Sequence, residues 1–379
     1  MILGIEASNI RSGGGTTHLK ELLWTYDPDL YEFKKVVVWA STSTLKLLPD
    51  ADWLEKRTHS FLEKSIFFRI FWQRFILDKE IKNAKIDVLF VPGGMYYSKF
   101  RPVITMSRNM LPFEEKERNR YGFSYMKFRL TLLEKKQGKA FTDANGLIFL
   151  TQYAKTAVQA RLKKKVKNST VIAHGISSSF SKAPRPQKAI SEYNEKHPYE
   201  ILYVSIINVY KHQKSLVPAV VRLRNEGYPV VLKLVGPNYP PEMKLLNAVL
   251  QQQDPQGKVV QLHGSVSHAG VEQTYHNADL FVFASSCENL PNILVEAMAS
   301  GLPIASSNKG PMPEVLQDGG LYFDPENEEE IYQVLKKMLD DKELREKLAA
   351  RSYELSTSYS WRTCANQTIE YLNSFVKKK

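Results

Sequence analysis

Short apolar runs alternating with helix-length amphipathic stretches fill the second half of the 379-residue chain. EILYVSII leads into residues 214–225, PVVLKLVG into 242–252, VVQLHG into 269–277 and ADLFVFAS into 291–300, with LPIASS after them. Runs of this length in this order predict repeated strand–helix units, hence a parallel, doubly wound sheet. The first half carries the same rhythm less cleanly: MILGIEA, then 16–26, FKKVVVWA, IDVLFVPG, RPVITMS, GLIFLT, then 152–163, and TVIAHG. Two similar open α/β domains in series follow. Between them SSSFSKAPRPQKAISEYNEKHP, residues 177–198, is rich in serine, proline and charge and reads as a linker. The expected division is 1–185 and 186–358, with ligands in the cleft outside the carboxyl ends of the strands.

Composition agrees with two globular domains, since 43% apolar and 24% charged residues over this length exceed one ordinary core and exclude disorder. The two cysteines, Cys287 and Cys364, have no metal-ligand spacing and make no disulfide framework. The chain therefore reads as cytoplasmic. MILGIEA reaches Glu6 too soon for a signal peptide, and no stretch approaches the roughly 20 apolar residues that span a bilayer. The net charge of +12 is uneven, with +16 on residues 1–190 and −4 on residues 191–379. An anionic partner for the first half follows: nucleic acid, lipid headgroups or a phosphorylated substrate.

SSCENLPNILVEAMASG, residues 285–301, follows the strand ADLFVFAS and forms a strand-to-helix loop. Pro291 is expected at the first helical position, leaving the amides of Asn292, Ile293 and Leu294 free to meet a phosphate or hydroxyl. Glu288 stands outside that helix and Glu296 about a turn and a half inside it. At about 1.5 Å rise per residue the two carboxylates cannot share a proton, so they hold different parts of one extended ligand. The plainer alternative is a loop carboxylate on a helix N-terminus and a surface glutamate.

The run from Glu288 to Pro325, ENLPNILVEAMASGLPIASSNKGPMPEVLQDGGLYFDP, resembles the donor signature of the large retaining glycosyltransferase family four, with its Glu-x(7)-Glu motif and GT-B fold. The resemblance implies two Rossmann-like domains facing a cleft and sugar transfer from a nucleotide-diphosphate donor of UDP or GDP type. By the same resemblance Glu288 contacts donor-sugar hydroxyls and Glu296 binds the ribose. Asn289, Leu290, Pro291 and Asn292 then line the sugar and diphosphate through their backbone. A ribose diol suits a bidentate carboxylate, and charged hydrogen bonds of this kind contribute about 1.5–3 kcal/mol each. The terminal segment 359–379 is expected to return to the first domain as a helix, as in relatives of this type.

YVSIINVYKHQKSL, residues 203–216, stands where the family carries Gly-Arg and a diphosphate-gripping lysine. Lys211 matches the lysine, whereas Ser205 and Ile206 replace Gly-Arg. A cation on the leaving diphosphate stabilises charge that develops in the transition state. SNIRSGGGTTHLKELL, residues 8–23, begins a GxGxxG motif with Gly13 and Gly15, but His18 occupies the third glycine. With no acidic ribose ligand after FKKVVVWA, this argues against a nicotinamide enzyme. A tight turn and a loop bringing Gly13, Gly14 and Gly15 to the donor phosphates are both open readings. VIAHGISSSF places His174 near the cleft, as a catalytic candidate or a structural histidine. TMSRNMLPFEEKE, residues 105–117, occupies the place of a catalytic His-Asp pair in relatives, with Arg108 and Asn109 there instead as acceptor-region candidates. LHGSVSHAG resembles the segment that meets the base, around Gly264, Ser265 and Val266.

Asp27-Pro28-Asp29 reads as a turn, which fits a metal-independent enzyme without a cofactor. HSFLEKSIFFRIFWQRFILDKE, residues 59–80, reads either as an interfacial helix or as one packed on its own sheet with snorkelling cations. Arg161, Lys163, Lys164, Lys165 and Lys167 form a second basic cluster. The function expected is a retaining hexosyltransferase acting on a glycan or lipid-linked glycan acceptor in cell-surface polysaccharide or lipopolysaccharide synthesis, peripheral on the inner face of the plasma membrane. An anionic membrane surface is a candidate partner and nucleic acid is not. The alternatives are a nucleotide-sugar epimerase or hydrolase of the same fold, and a non-catalytic membrane-surface or nucleic-acid binder.

Overall fold

The structure is a computed structural model that describes residues 1–266 and 268–376. Ser267, in the run expected to meet the base, and residues 377–379, in the expected terminal helix, lie outside the described residues. The chain forms two compact units. One comprises Met1–Phe113, Tyr125–Gly175 and the chain from Ser360 on, and the other Glu114–Ser124 and Ile176–Tyr359.

The first unit holds β1 (Ile2–Glu6), β2 (Lys35–Trp39), β3 (Leu54–Arg57), β4 (Val88–Val91), β5 (Val103–Met106), β6 (Gly146–Phe149) and β7 (Ser169–Val171). They pair in the order β3-β2-β1-β4-β5-β6-β7, all parallel. The second holds β8 (Tyr199–Val204), β9 (Val230–Val235), β10 (Val260–Gly264), β11 (Leu280–Phe283), β12 (Ile304–Ser307) and β13 (Leu321–Phe323). Their order is β10-β9-β8-β11-β12-β13, again parallel throughout. A parallel neighbour requires a crossover, and a sheet covered on both faces needs strands apolar on both. VVVW of β2 and LFVF of β11 are buried at every position. Both sheets are thus the doubly wound α/β class, and two parallel-sheet domains of this kind make up the GT-B fold.

Each sheet reverses its winding at one place, between β1 and β4 in the first and between β8 and β11 in the second. Loops leaving the carboxyl ends of the two strands at such a point diverge and open a crevice between them. The glycine-rich loop leaves β1. The Lys211 loop leaves β8 and the Glu288 loop leaves β11.

Three local expectations change. Pro291 caps the helix Asn292–Ala299 rather than entering it, because its ψ of 76° is not helical. Residues 59–80 are a 3-10 turn (Ser60–Glu63) and two helices (Ile66–Phe75 and Leu77–Asn83). Leu62, Trp72, Leu77 and Ile81 enter the core beside Trp39, while Phe67 and Phe75 are 79% and 64% exposed. The apolar side of Ile66–Phe75 therefore exceeds what its sheet covers. Finally, the Ser/Pro-rich segment 177–198 is bound to the second unit: Lys182 N donates to Ala299 O at 2.9 Å, and Arg185 Nη2 pairs with Asp279 at 2.7 Å.

Candidate active site

The Lys211 and Glu288 loops meet at the β8/β11 reversal. Tyr203 OH at the end of β8 donates to Lys211 O at 2.8 Å and fixes the turn that delivers the side chain. The Lys211 ammonium forms a short ion pair with Glu288 Oε1, flanked by the rings of Tyr210 and Phe283 at 5.2 and 5.3 Å. Ser285 Oγ donates to the same carboxylate oxygen at 2.7 Å. The side chains of Lys211 and Glu288 are only 4% and 17% exposed, so each charge depends on the other for solvation. The sequence reading assigned these two groups separately; the fold places them in one contact. At the Gly-Arg position, Ser205 is buried and its hydroxyl donates to Ile206 O at 3.1 Å.

The helix after Pro291 offers less than expected. Asn292 N donates to Leu290 O at 2.9 Å and Leu294 N to Pro291 O at 2.8 Å, so the loop carbonyls consume two of the three amides. Among the described residues only the Ile293 amide of the three has no partner. The cause is the curl of the Leu290–Pro291 backbone into the first turn. Asn289 and Leu290 are buried, with Pro291, beneath that turn.

Glu296 lies one and a half turns in, partly buried, and accepts from Tyr275 OH at 2.9 Å. Burial pushes its carboxyl up to about 7, which the tyrosine hydrogen bond only partly offsets. Tyr275 was not legible as a site residue, because it belongs to another helix, His268–Asn277. Gly264 ends β10 at φ +62° with its carbonyl taken by Gly236 N at 2.7 Å, and Ser265 and Val266 are exposed beside it.

In the first unit, Gly13 caps the helix Gly14–Trp24 with φ +65°, a conformation that suits glycine. A Cβ on Gly15 would stand 2.5 Å from Arg108 Nη1, so the absence of a side chain there admits the guanidinium. Burial lowers the Arg108 pKa to about 10. Asn109 is exposed and accepts from Leu111 N at 3.1 Å in a local turn. His174 is buried, stacked on His18 at 4.7 Å and 5.4 Å from the Trp361 ring. His18, at the third position of the glycine motif, also meets Phe90 edge-on at 6.3 Å, and burial depresses its pKa to about 3. The helix thus packs through a neutral imidazole where a dinucleotide fold uses glycine. Asp27 caps its own turn, accepting from Asp29 N at 2.9 Å. No group of three or more His, Cys, Asp or Glu side chains among the described residues is arranged to hold a metal ion. No helix among them is long and apolar enough to cross a membrane.

The chain is similar to known proteins in sequence and in fold. Residues 185–355 match the family described as glycosyl transferases group 1. Over 106 residues the chain is 34% identical to the O-antigen chain mannosyltransferase B of Escherichia coli, a stretch that is 28% of each protein. The chain spans under a third of the length of curated relatives such as this one. The crystal structure of Anabaena Alr3699/HepE with UDP and glucose has a TM-score of 0.68 at 16% identity, covering 99% of this chain and 100% of that one. Sucrose-phosphate synthase from Thermosynechococcus elongatus gives 0.78 at 14% identity, covering 99% and 98%. Residues 185–355 thus resemble the glycosyl transferases group 1 family, in a chain whose two parallel-sheet units have the GT-B fold.

Proposed function

We propose that the chain is a retaining, metal-independent hexosyltransferase of family four. It takes a nucleotide-diphosphate sugar of UDP or GDP type and a glycan or lipid-linked glycan acceptor of a cell-surface polysaccharide or lipopolysaccharide. The observation that carries this reading is the Lys211–Glu288 pair at the winding reversal, with Glu296 set deeper along the adjoining helix. An arriving diphosphate competes with Glu288 for the Lys211 ammonium. Once released, the Glu288 carboxylate is free to accept from sugar hydroxyls, so binding and sugar positioning become one exchange of partners. Glu296 takes the ribose diol, Gly264, Ser265 and Val266 the base, and Asn289 to Asn292 the sugar and diphosphate through backbone groups. Lys211 offsets the charge that grows on the leaving diphosphate, the work a metal ion does elsewhere. Gly13, Gly14 and Gly15 contribute backbone to the phosphates, and Arg108 and Asn109 belong to the acceptor region. His174 orients the first unit's loops from within its ring stack.

The HepE complex with UDP and glucose supports the donor class, and the E. coli O-antigen mannosyltransferase supports the acceptor class. The exposed aromatic face of Ile66–Phe75, with exposed Arg74 on the helix and exposed Lys64 just before it over the Phe68 ring, supports peripheral docking on an anionic bilayer. The test is a panel of UDP- and GDP-hexoses scored by thermal stabilisation and then supplied with lipid-linked acceptors. A product that keeps the donor's anomeric configuration is the expected result. Donor turnover that is indifferent to acceptor favours a hydrolase or epimerase and ends the transferase reading.

A further inference from the structure

The loops that carry Lys211 and Glu288 are joined by more than their ion pair. Ser286 N donates to Tyr210 O at 2.9 Å, and Ser286 Oγ lies 2.8 Å from His212 Nε2. The third partner of Ser286 comes from far away in the chain: Ser286 Oγ donates to Glu117 Oε2 at 2.7 Å, across 169 residues. Glu117 sits on the short helix Glu115–Asn119, within a segment that follows β5 in sequence yet folds with the second unit.

Charge and proton count give this contact a direction. The Ser286 hydroxyl has one proton and two acceptors in reach, Glu117 Oε2 at 2.7 Å and Tyr210 O at 3.2 Å; the shorter contact to the charged oxygen takes it, and the serine oxygen accepts from His212. That places the imidazole proton on Nε2 and one rotamer on Ser286. Burial holds the His212 pKa down to about 4, which keeps the ring neutral. His212 also has a left-handed backbone, φ 51°, uncommon for a residue with a side chain. It is the pivot between the Lys211 turn and the helix Gln213–Asn225. Glu117, Ser286 and His212 are each less than 10% exposed. Glu117 Oε2 also accepts from Arg120 Nε at 2.7 Å, and Arg120 Nη2 reaches Glu326 at 2.7 Å. Tyr121 OH, on the same segment, donates to Asn208 Oδ1 at 2.9 Å at the start of the Lys211 turn.

We infer that Glu117 is a positioning residue for the donor site: through Ser286 and His212 it sets the distance between the Lys211 and Glu288 loops. The inference rests on reading those loops as the donor site, but its physical core is independent of the ligand. A buried carboxylate whose oxygen is shared by a tethered cation and a serine is a rigid peg, and both loops hang on it by that serine. Losing the peg leaves the Ser286 hydroxyl only the longer contact to Tyr210 O, which lies on the Lys211 loop itself, so the two loops lose their tie to Glu117 and gain mobility together.

The experiment compares wild type, Glu117→Ala, Glu117→Gln, Ser286→Ala, the Glu117→Ala/Ser286→Ala double variant, and Asn119→Ala at the exposed end of the same helix. Amide hydrogen exchange of peptides covering residues 203–213 and 284–291 is measured on the ligand-free proteins, with urea midpoints alongside. UDP and GDP affinities are measured by calorimetry. We expect exchange in both peptides to rise at least about tenfold in Glu117→Ala and Ser286→Ala, and no further in the double variant, since one linkage is lost once. Glu117→Gln, whose amide oxygen still accepts from Ser286, restores most of the protection, and Asn119→Ala matches wild type. Nucleotide affinity falls with the loss of protection. Unchanged exchange in Glu117→Ala overturns the inference, as do effects of the two single changes that multiply in the double variant. If wild type binds neither nucleotide while exchange responds as expected, the donor reading fails and the positioning role of Glu117 stands.

Discussion

Lys211 and Glu288, 77 residues apart in sequence, neutralise each other in a contact that excludes most solvent. Breaking such a pair from one side leaves a buried charge alone, which typically costs about 3–5 kcal/mol. Lys211→Met and Glu288→Leu are each expected to lower the urea-unfolding free energy on that scale. The double variant should recover most of the loss, because neither charge remains. Equilibrium denaturation of the three variants checks this.

Glu296 predicts a pH dependence whose sign is fixed by its environment. Its folded-state pKa, about 7, lies above the ordinary carboxylate value of 4.5, so the stability tied to its protonated form is complete below 4.5 and is lost as pH rises through about 7. Glu296→Gln removes that dependence. Relative to wild type it should gain stability between about pH 5 and about pH 8. Binding of a nucleotide-sugar moves the other way, because a ribose diol donates to the ionised carboxylate: wild-type affinity rises with pH through about 7 and the variant's does not. Calorimetric titrations across that range measure both halves.

Gly15→Ala introduces a methyl 2.5 Å from Arg108 Nη1. The guanidinium must move, and activity with acceptor should fall by about tenfold or more while the fold is kept, since a flexible side chain yields more cheaply than backbone. Steady-state kinetics set beside a melting curve separate the two effects.

Phe67, Phe71 and Phe75 are 79%, 49% and 64% exposed on one short helix. Changing all three to serine should leave thermal stability unaltered and reduce co-sedimentation with phosphatidylglycerol vesicles by roughly tenfold, since apolar area and cations act together at an anionic surface. Phosphatidylcholine vesicles are the control. Equal binding of variant and wild type to the anionic vesicles would remove this helix from the docking surface.

The doubly wound sheets were readable from sequence because buried parallel strands announce themselves: β1, β2, β4, β5 and β6, and β8 to β12, each coincide with an expected apolar run. The edge strands β3 and β13 were missed. Both pair on one side only; LEKR is charged at three of its four positions, and LYF is too short at three residues to show a pattern. The helix Tyr125–Asp143 escaped for a related reason, since Tyr125, Phe128 and Leu132 are exposed and Leu130, Ala140 and Phe141 leave only a thin buried stripe. At the candidate site, Glu288, Glu296 and Lys211 were singled out by resemblance, but the contact between Glu288 and Lys211 was not legible. That contact depends on β8 and β11 being neighbours, which is topology rather than local pattern. His212 and Ser286 stood beside the chosen residues without a signal of their own. Glu117 and Tyr275 had none, because their partners lie 169 and 21 residues away on other elements. His174, singled out at a strand end as a catalytic or structural histidine, lies stacked on His18 beside Trp361.

The most direct measurement is the rate of sugar transfer, at saturating nucleotide-sugar and acceptor, for wild type and Glu288→Ala. The account predicts an anomer-retaining product from wild type and a loss of at least about a hundredfold in kcat for the variant, the scale on which a group that positions reacting atoms acts. Transfer by Glu288→Ala at the wild-type rate would contradict it.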